Sequence, residues 1–302
     1  MGGGSAVKQH ERRFLQGERE DTGKKEECGE AHWTVKTFGE YEVRRTEGGE
    51  YEFELIKKGI TIGTFSEAYV EEERILFPLS RGMLFEVSEK GVREIAIPEK
   101  AALFGLIASD GSNSLRRRMH PRPHYDYSTS FYSEGKELTE KFDELSEKTY
   151  GLTPHHYVRE RNGLITAVIY SKGVYYDLSD FDVKTGAYEF KVPREHLDAN
   201  GKRAYVKGFF SGDGSAYLIH GERLFIRFRS KCEEGLEGLR QILMDLGFHP
   251  GKIGKDVESD TITYRFTIPS REHERFIDEI GSFKPEHIRV FEEYGRLKGE
   301  KG

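Results

Sequence analysis

The spacing of apolar positions changes character twice along this chain. Residues 1–32 carry almost none: Met1-Gly-Gly-Gly-Ser5 runs on to Gly23-Lys-Lys-Glu-Glu-Cys28-Gly-Glu30. Such a stretch is too polar to bury a core, and a disordered tail is expected. Over 33–98 the period becomes two. Trp33, Val35, Tyr41, Val43, Tyr51, Phe53 and Leu55 alternate with polar residues, and Ile60-Thr-Ile62, Ile75-Leu-Phe77, Leu84-Phe85-Glu-Val87 and Ile95-Ala-Ile97 follow between Gly and Ser-Arg-Gly turns. This predicts a small antiparallel β module.

After Pro98 helical and strand periods alternate. The pattern predicts a helix from about Glu99, strands at 115–119 and 125–133, a helix at 136–149 with Leu138, Phe142 and Leu145 inward, and strands at 156–161 and 164–170. Residues 174–190 are mixed, and 193–197 lead to a second helix from about Lys202. The order then recurs: strands at 215–220 and 223–230, a helix at 234–246, strands at 252–257 and 261–268, and helices at 271–280 and 285–297. Self-similarity of this kind marks a duplicated supersecondary unit. The expected fold class is α+β: two pseudo-symmetric αββαββα units over 99–198 and 199–302, with the β module over 33–98 before them.

Each unit opens on nearly the same words, Leu103-Phe-Gly-Leu-Ile-Ala-Ser-Asp110-Gly111 and Val206-Lys-Gly-Phe-Phe-Ser-Gly-Asp213-Gly214. Both read as buried helices that stop at a glycine. Gly105 and Gly208 sit mid-helix, where glycine costs about 1 kcal/mol against alanine; that makes sense where another backbone comes very close. Two such helices side by side bring Asp110 and Asp213 together at one end. Adjacent carboxylates resist joint ionisation. A divalent cation such as Mg²⁺ relieves the repulsion, and carboxylates with metals are a standard device for cutting phosphodiesters.

Composition changes this picture little. The chain has 302 residues, 36% hydrophobic and 33% charged. It has no apolar run of membrane-spanning length and no signal-peptide core, so no membrane partner is expected. Cys28 and Cys232 are its two cysteines; with no disulfide framework, a cytoplasmic, reducing setting fits. The net charge of −6 argues against nucleic acid at first sight, but residues 1–100 hold most of the excess acid, with 16 Lys/Arg against 21 Asp/Glu. A basic groove elsewhere is compatible, because screening limits the reach of charge to about 8 Å.

The two Asp-Gly stretches resemble the paired motifs of the LAGLIDADG homing endonuclease family, over about residues 100–290. The first departs from the name motif at Phe104, Ala108 and Ser109, and the second at Lys207, Phe209, Phe210 and Gly212; these are packing or peripheral positions. Few Asn and Gln residues and many charges point to a thermophile, which suits an archaeal member. The resemblance implies a monomer that cuts both strands of a long double-stranded DNA target across the minor groove, leaving 3′ overhangs. Asp110 and Asp213 would bind Mg²⁺ or Mn²⁺, helped by carbonyls near Ser109 and Gly212. Family members place a basic residue near the end of each unit's last strand. Lys172 and Arg271 stand there, one residue after Ser171 and Ser270, which overlay when the repeats are aligned on their aspartates.

In the strand at 223–230, Leu224, Ile226 and Phe228 point one way and Arg223, Phe225, Arg227 and Arg229 the other. In 261–268, Ile262, Tyr264, Phe266 and Ile268 are expected inward, with Thr261, Thr263, Arg265 and Thr267 outward. Arginines and hydroxyls on a β-ribbon can address phosphates and base edges. Arg116, Arg118, Arg122, His124, Arg159 and Arg161 are further outward candidates, while Asp126, Ser128 and Ser130 form a more polar face. His120, His124, His155 and His156 lack the cysteine partners of a complete zinc set. The alternative is a DNA- or RNA-binding regulator or splicing maturase on the same scaffold, needing the sheets but not the metals. A chain opening Met-Gly and closing Glu-Lys-Gly lacks the residues of a splicing intein, so none is expected.

Overall fold

The computed structural model describes residues 32–46, 53–119, 124–184, 188–258 and 261–300. The tail expected over 1–32 lies outside them, except His32, as do Cys28, His120 and Arg122. The chain divides into two compact units.

The first unit, residues 1–79 and 84–94, is the β module. Its strands are β1 (His32–Phe38), β2 (Tyr41–Thr46), β3 (Phe53–Lys57), β4 (Ile60–Phe65), β5 (Tyr69–Val70), β6 (Arg74–Pro78), β7 (Met83–Ser88) and β8 (Gly91–Ala96). They form two four-stranded sheets in sequential order, β1-β2-β3-β4 and β5-β6-β7-β8. The alternating apolar residues meet in one core, Phe38, Val43 and Leu55 from one sheet against Ile75, Phe77 and Val87 from the other. Phe65 stacks on Phe77 with ring centroids 4.1 Å apart.

The second unit, residues 80–83 and 95–302, holds the repeats. The first repeat runs α1 (Pro98–Asp110), β9 (Gly111–Arg118), β10 (His124–Ser133), α2 (Lys136–Tyr150), β11 (His155–Val158), β12 (Ile165–Ile169) and α3 (Lys172–Asp180). The second runs α4 (Ala199–Asp213), β13 (Gly214–Ile219), β14 (Arg223–Ser230), α5 (Glu233–Asp245), β15 (Gly254–Glu258), β16 (Thr261–Ile268), α6 (His273–Glu279) and α7 (Pro285–Gly299). Each repeat builds one antiparallel sheet of the same order, β9-β10-β12-β11 and β13-β14-β16-β15. The registers match as well. Phe131 sits opposite Gly111 and Ala167, and Phe228 opposite Gly214 and Phe266. Helices cover one face of each sheet: Phe131 stacks on Phe142 of α2, and Phe228 lies against Phe210 of α4 and Phe276 of α6.

The motif helices form the centre. Every residue of α1 from Lys100 to Ser109 is buried, as expected of a helix apolar all round. Lys100 is accommodated by Arg81 O at 2.9 Å and by Asp177 at 2.7 Å; Tyr150 donates to the same carboxylate at 2.6 Å. A Cβ on Gly105 would strike Tyr205 O and lie 2.7 Å from Phe209 N; one on Gly208 would strike Ala102 O and lie 3.1 Å from Leu106 N. The two backbones therefore touch through reciprocal glycines.

Several boundaries differ from expectation. Gly111 and Gly214 end their helices in extended conformation, with φ −105° and −80°, not left-handed, and the chain turns straight into a strand. A Cβ on Gly111 would lie 2.6 Å from the Ile107 main chain, and one on Gly214 would meet Phe210. β9 thus starts at Gly111, four residues before the expected Leu115. The polar run Ser112-Asn113-Ser114 hid it, but Asn113 is held by Tyr175 O at 2.9 Å and Thr129 Oγ1 at 2.9 Å. The mixed segment after 170 forms α3, capped by Ser171 Oγ accepting from Val174 N and anchored through Val174 and Leu178. The helix expected from Arg271 begins instead with a 3-10 turn, Ser270–Glu272.

The reciprocal contact fixes the sign of a mutation. Gly105→Ala should destabilise the protein by about 3 kcal/mol or more, since overpacking meets backbone rather than a movable side chain. Gly295→Ala, in α7 with nothing within 4 Å of its would-be Cβ, should stabilise by up to about 1 kcal/mol. Denaturant melts of both variants check the opposite signs.

Candidate functional site

α1 and α4 deliver Asp110 and Asp213 into one cleft of about 380 Å³, lined also by Lys184, Tyr188, Arg227, Arg229 and Lys231. The helix ends approach closely there: a Cβ on Gly212 would lie 2.5 Å from Asp110 Oδ2 and 2.7 Å from Ser109 Cβ. Burial raises the Asp110 pKa, opposed by Lys284 and Lys184. Burial and then the Asp110 charge push Asp213 up to about 7. The negative ends of two helix dipoles meet at the same spot. The cleft is therefore short of positive charge.

Two lysines answer that shortage, and neither was foreseen from the sequence. Lys184 is buried; its Nζ donates to Ala108 O at 2.9 Å and Ser109 O at 3.4 Å. Burial pulls its amine down, and the two aspartates work against that. Lys284 acts on both acids from the second repeat. Its backbone N–H donates to Ser282 Oγ at 3.1 Å. Ser282 Oγ lies 3.1 Å from Ser211 Oγ on α4 and 3.0 Å from His287 Nδ1, and Phe283 N donates to Ser211 Oγ at 2.7 Å. Burial and the neighbouring Lys284 hold His287 neutral, with its pKa down to about 4. A signal existed: Lys184 follows Asp110 by 74 residues and Lys284 follows Asp213 by 71.

Lys172 and Arg271 neither line this cleft nor count among the charges acting on the aspartates. Lys172 opens α3 with its ammonium about 6 Å from the Tyr127 and Tyr176 rings, and Arg271 is exposed in its 3-10 turn. The register gives the reason. Gly111 is level with Ala167 and Gly214 with Phe266. Beyond those points β12 and β16 run away from the aspartates at roughly 3.3 Å per residue.

The sheet faces opposite the helices carry the remaining candidates. In β14, Leu224, Ile226 and Phe228 are buried, which leaves Arg223, Phe225, Arg227 and Arg229 on the open face. β16 departs from expectation at its start. Ile262 is 43% exposed and Thr263 only 8%, because β14 pairs β16 only from Tyr264 onward and Thr263 lies under Arg229, which donates to its Oγ1 at 3.1 Å. Arg265 pairs with Asp256 at 3.1 Å and Arg118 with Asp126 at 2.6 Å, while Arg116 and Arg223 are exposed. The Arg227 Nε is buried without a hydrogen-bond partner among the described residues. Arg159 and Arg161 are not on a strand: β11 ends at Val158, and Gly163, at φ +68°, closes a turn by donating to Arg159 O at 2.8 Å. Arg159 there lies 5.6 Å from the Tyr132 ring centroid.

Among the described residues no cluster of three or more His, Cys, Asp or Glu is placed to hold a metal. His156 bonds Asp143 at 3.0 Å, His155 packs on Tyr170, and His124 lies 3.3 Å from Asp126. Cys232 caps α5, accepting from Gly235 N. None of the described helices is long and apolar enough to cross a membrane.

Residues 200–281 match the family described as LAGLIDADG-like domain. No curated protein sequence matches the chain. The structure of the homing endonuclease I-DmoI in complex with DNA and Ca aligns at 17% identity over 64% of this chain and 96% of that one, with a TM-score of 0.50. The meganuclease I-SmaMI bound to uncleaveable DNA aligns at 15% identity over 65% and 89%, TM-score 0.44. Full-length DUF199/WhiA from Thermatoga maritima aligns at 14% identity over 68% and 62%, TM-score 0.44.

The Asp213 shift has a measurable sign. Its folded pKa, about 7, lies above the ordinary 3.8, so its contribution to stability is complete below about pH 4 and is lost as pH rises through about 7. His287, with a folded pKa of about 4, runs the other way over the same range. Comparison with Asp213→Asn removes the His287 part. In metal-free buffer the melting temperature of the variant, relative to the parent, should climb between pH 4 and pH 7; a constant difference would contradict the burial of this acid.

Proposed function

We propose that this chain, which carries the LAGLIDADG homing-endonuclease fold in two repeats, is a monomeric, site-specific double-strand DNA endonuclease that hydrolyses phosphodiesters with Mg²⁺ or Mn²⁺. The observation that carries the reading is the pair of half-buried acids at two abutting helix ends, with Lys184 and Lys284 acting on both and the cleft continuous with an arginine-bearing sheet face.

The donor chemistry fits a hard divalent cation. Asp110 and Asp213 supply carboxylate oxygens, and burial holds both pKa values up against the opposing pull of Lys184 and Lys284. Ser109 and Gly212 are proposed to add main-chain oxygens, and phosphate oxygens of the DNA would complete the shell. When bound, such a metal activates water and neutralises the departing oxygen.

The chain's own residues do the rest. Asp110 and Asp213 would hold the cation in their ionised forms. Lys184 and Lys284 each offer an ammonium to the charge that develops on the phosphates. Lys184 is preorganised by the Ala108 and Ser109 carbonyls, and Lys284 by the Ser211–Ser282–His287 relay. Arg227, with its unpartnered Nε, and Arg229 line the same cleft and would seat the phosphodiester beside the acids. Arg116, Arg118 and Arg223 lie farther out on the sheets, where DNA would continue, and Arg265 stands level with Arg229 on the neighbouring strand. I-DmoI, a solved structural neighbour, is itself described in complex with DNA and Ca.

Asp110→Asn and Asp213→Asn should each abolish double-strand cleavage in Mg²⁺ while leaving duplex binding intact. Cleavage by either variant at the parent rate would overturn the assignment. Lys184→Met and Lys284→Met should each slow single-turnover cleavage by about 10²- to 10³-fold, whereas Lys172→Ala and Arg271→Ala should leave it unchanged.

A further inference from the structure

The two strand-to-helix corners beside the acids are built alike. Ser133 ends β10 and Ser230 ends β14; with Phe131 set on Phe228 they hold the same register position. Gly135 N donates to Ser133 Oγ at 3.1 Å, and Cys232 N to Ser230 Oγ at 3.1 Å. Gly135 and Cys232 are in turn the N-caps of α2 and α5. The residue between serine and cap is therefore matched in the two repeats. It is Glu134 in the first and Lys231 in the second.

Both charges bear on the cleft. Lys231 lines it, and its ammonium lies 4.1 Å from the ring centroid of Tyr188, which lines it too. Glu134 is among the charges acting on Asp110, where it works against Lys184 and Lys284. Both residues are exposed, and neither takes part in a salt bridge among the described residues. Neighbouring cations do not even out the difference. Lys184 and Lys284 act on both acids alike in sign. Arg159, over the Tyr132 ring, neither lines the cleft nor counts among the charges acting on Asp110.

Each cut adds one water across a phosphorus–oxygen bond, with hydroxyl going to phosphorus and a proton to the departing oxygen. Negative charge builds on the phosphate as this happens, so a nearby ammonium lowers the barrier and a nearby carboxylate raises it. A duplex laid over the two repeats presents one scissile phosphate nearer each corner. We propose that Glu134 and Lys231 set the order of the two cuts. The strand whose phosphate lies beside Lys231 is hydrolysed first, the strand beside Glu134 second, and a nicked duplex stands between them. This rests on the endonuclease reading above and adds to it the residues that make the two cuts unequal.

The test uses the full chain and a duplex selected for cleavage from a randomised pool, with a different label on each strand. In single turnovers with Mg²⁺ one strand should be cut about 10-fold faster than the other. Glu134→Gln should speed the slow strand alone, and Lys231→Met should slow the fast strand alone. The double variant Glu134→Lys, Lys231→Glu should exchange the order. A damaged fold would slow both strands together, and melting curves check for it. Binding in metal-free buffer gives a second readout. A methylphosphonate, which removes one phosphate charge, should weaken binding at the first-cut position and not at the second, and the double variant should exchange these effects. Equal strand rates in the parent, an unchanged order in the double variant, or methylphosphonates of equal effect would overturn the inference and leave the endonuclease reading standing. Failure to cleave any duplex would overturn both.

Discussion

The contact between α1 and α4 is the constraint on which the rest depends. Two helices normally pack with 8–10 Å between axes, set by side chains at the contact. Here Gly105 and Gly208 remove those side chains, and each helix presents a carbonyl where the other's Cβ would be. Farther along, Gly212 gives way to Ser109 and Asp110. The approach therefore stays close up to the acids, and the two sheets are hung from its end by Gly111 and Gly214. A looser contact would separate the carboxylates and splay the strands that leave them.

That geometry has an electrostatic consequence. Two carboxylates, two helix C-termini and a partly enclosed cleft concentrate negative potential. The fold supplies Lys184 and Lys284 against it, yet Asp213 still titrates near neutrality. The protein's own cations thus do not offset the burial of Asp213, a charge balance suited to the divalent ion proposed above.

Much of the fold was legible because the periods are strict where residues are half-buried. β14 begins and ends where its alternation begins and ends, and α2 follows its Leu138–Phe142–Leu145 stripe. Legibility failed where tertiary contacts outweigh local pattern. Asn113 looks like a loop residue until its amide is seen bridging β9 to α3, and α3 is held by packing more than by helix propensity. Within the candidate site the acids were readable because they end a motif. The lysines were not, since both lie in irregular segments where no period applies. That Lys172 and Arg271 stand outside the cleft lining was not legible, because alignment of the repeats says which positions correspond, not which way the strand runs relative to the cleft.

The two repeats also show how one requirement is met with different residues. Lys184 and Lys284 each follow an aromatic ring set against a motif helix, Phe181 before Lys184 and Phe283 before Lys284. In the first repeat Phe181 lies 5.5 Å from Phe104, with the Lys100 ammonium 5.1 Å from its ring centroid. In the second the position matching Phe104 is Lys207, whose ammonium lies 4.8 Å from Phe283; Lys141 of α2 approaches the same ring at 5.1 Å. A desolvated ammonium over an aromatic face contributes on the order of 2 kcal/mol. Lys207 is a departure from the motif, and on sequence grounds it is an awkward residue for a helix interface. In place it clamps the ring next to Lys284, and Lys141 ties that ring to the other repeat. The departure thus preserves what the motif position does, which is to hold the segment that carries the cleft's lysine, and it adds a link across the two halves.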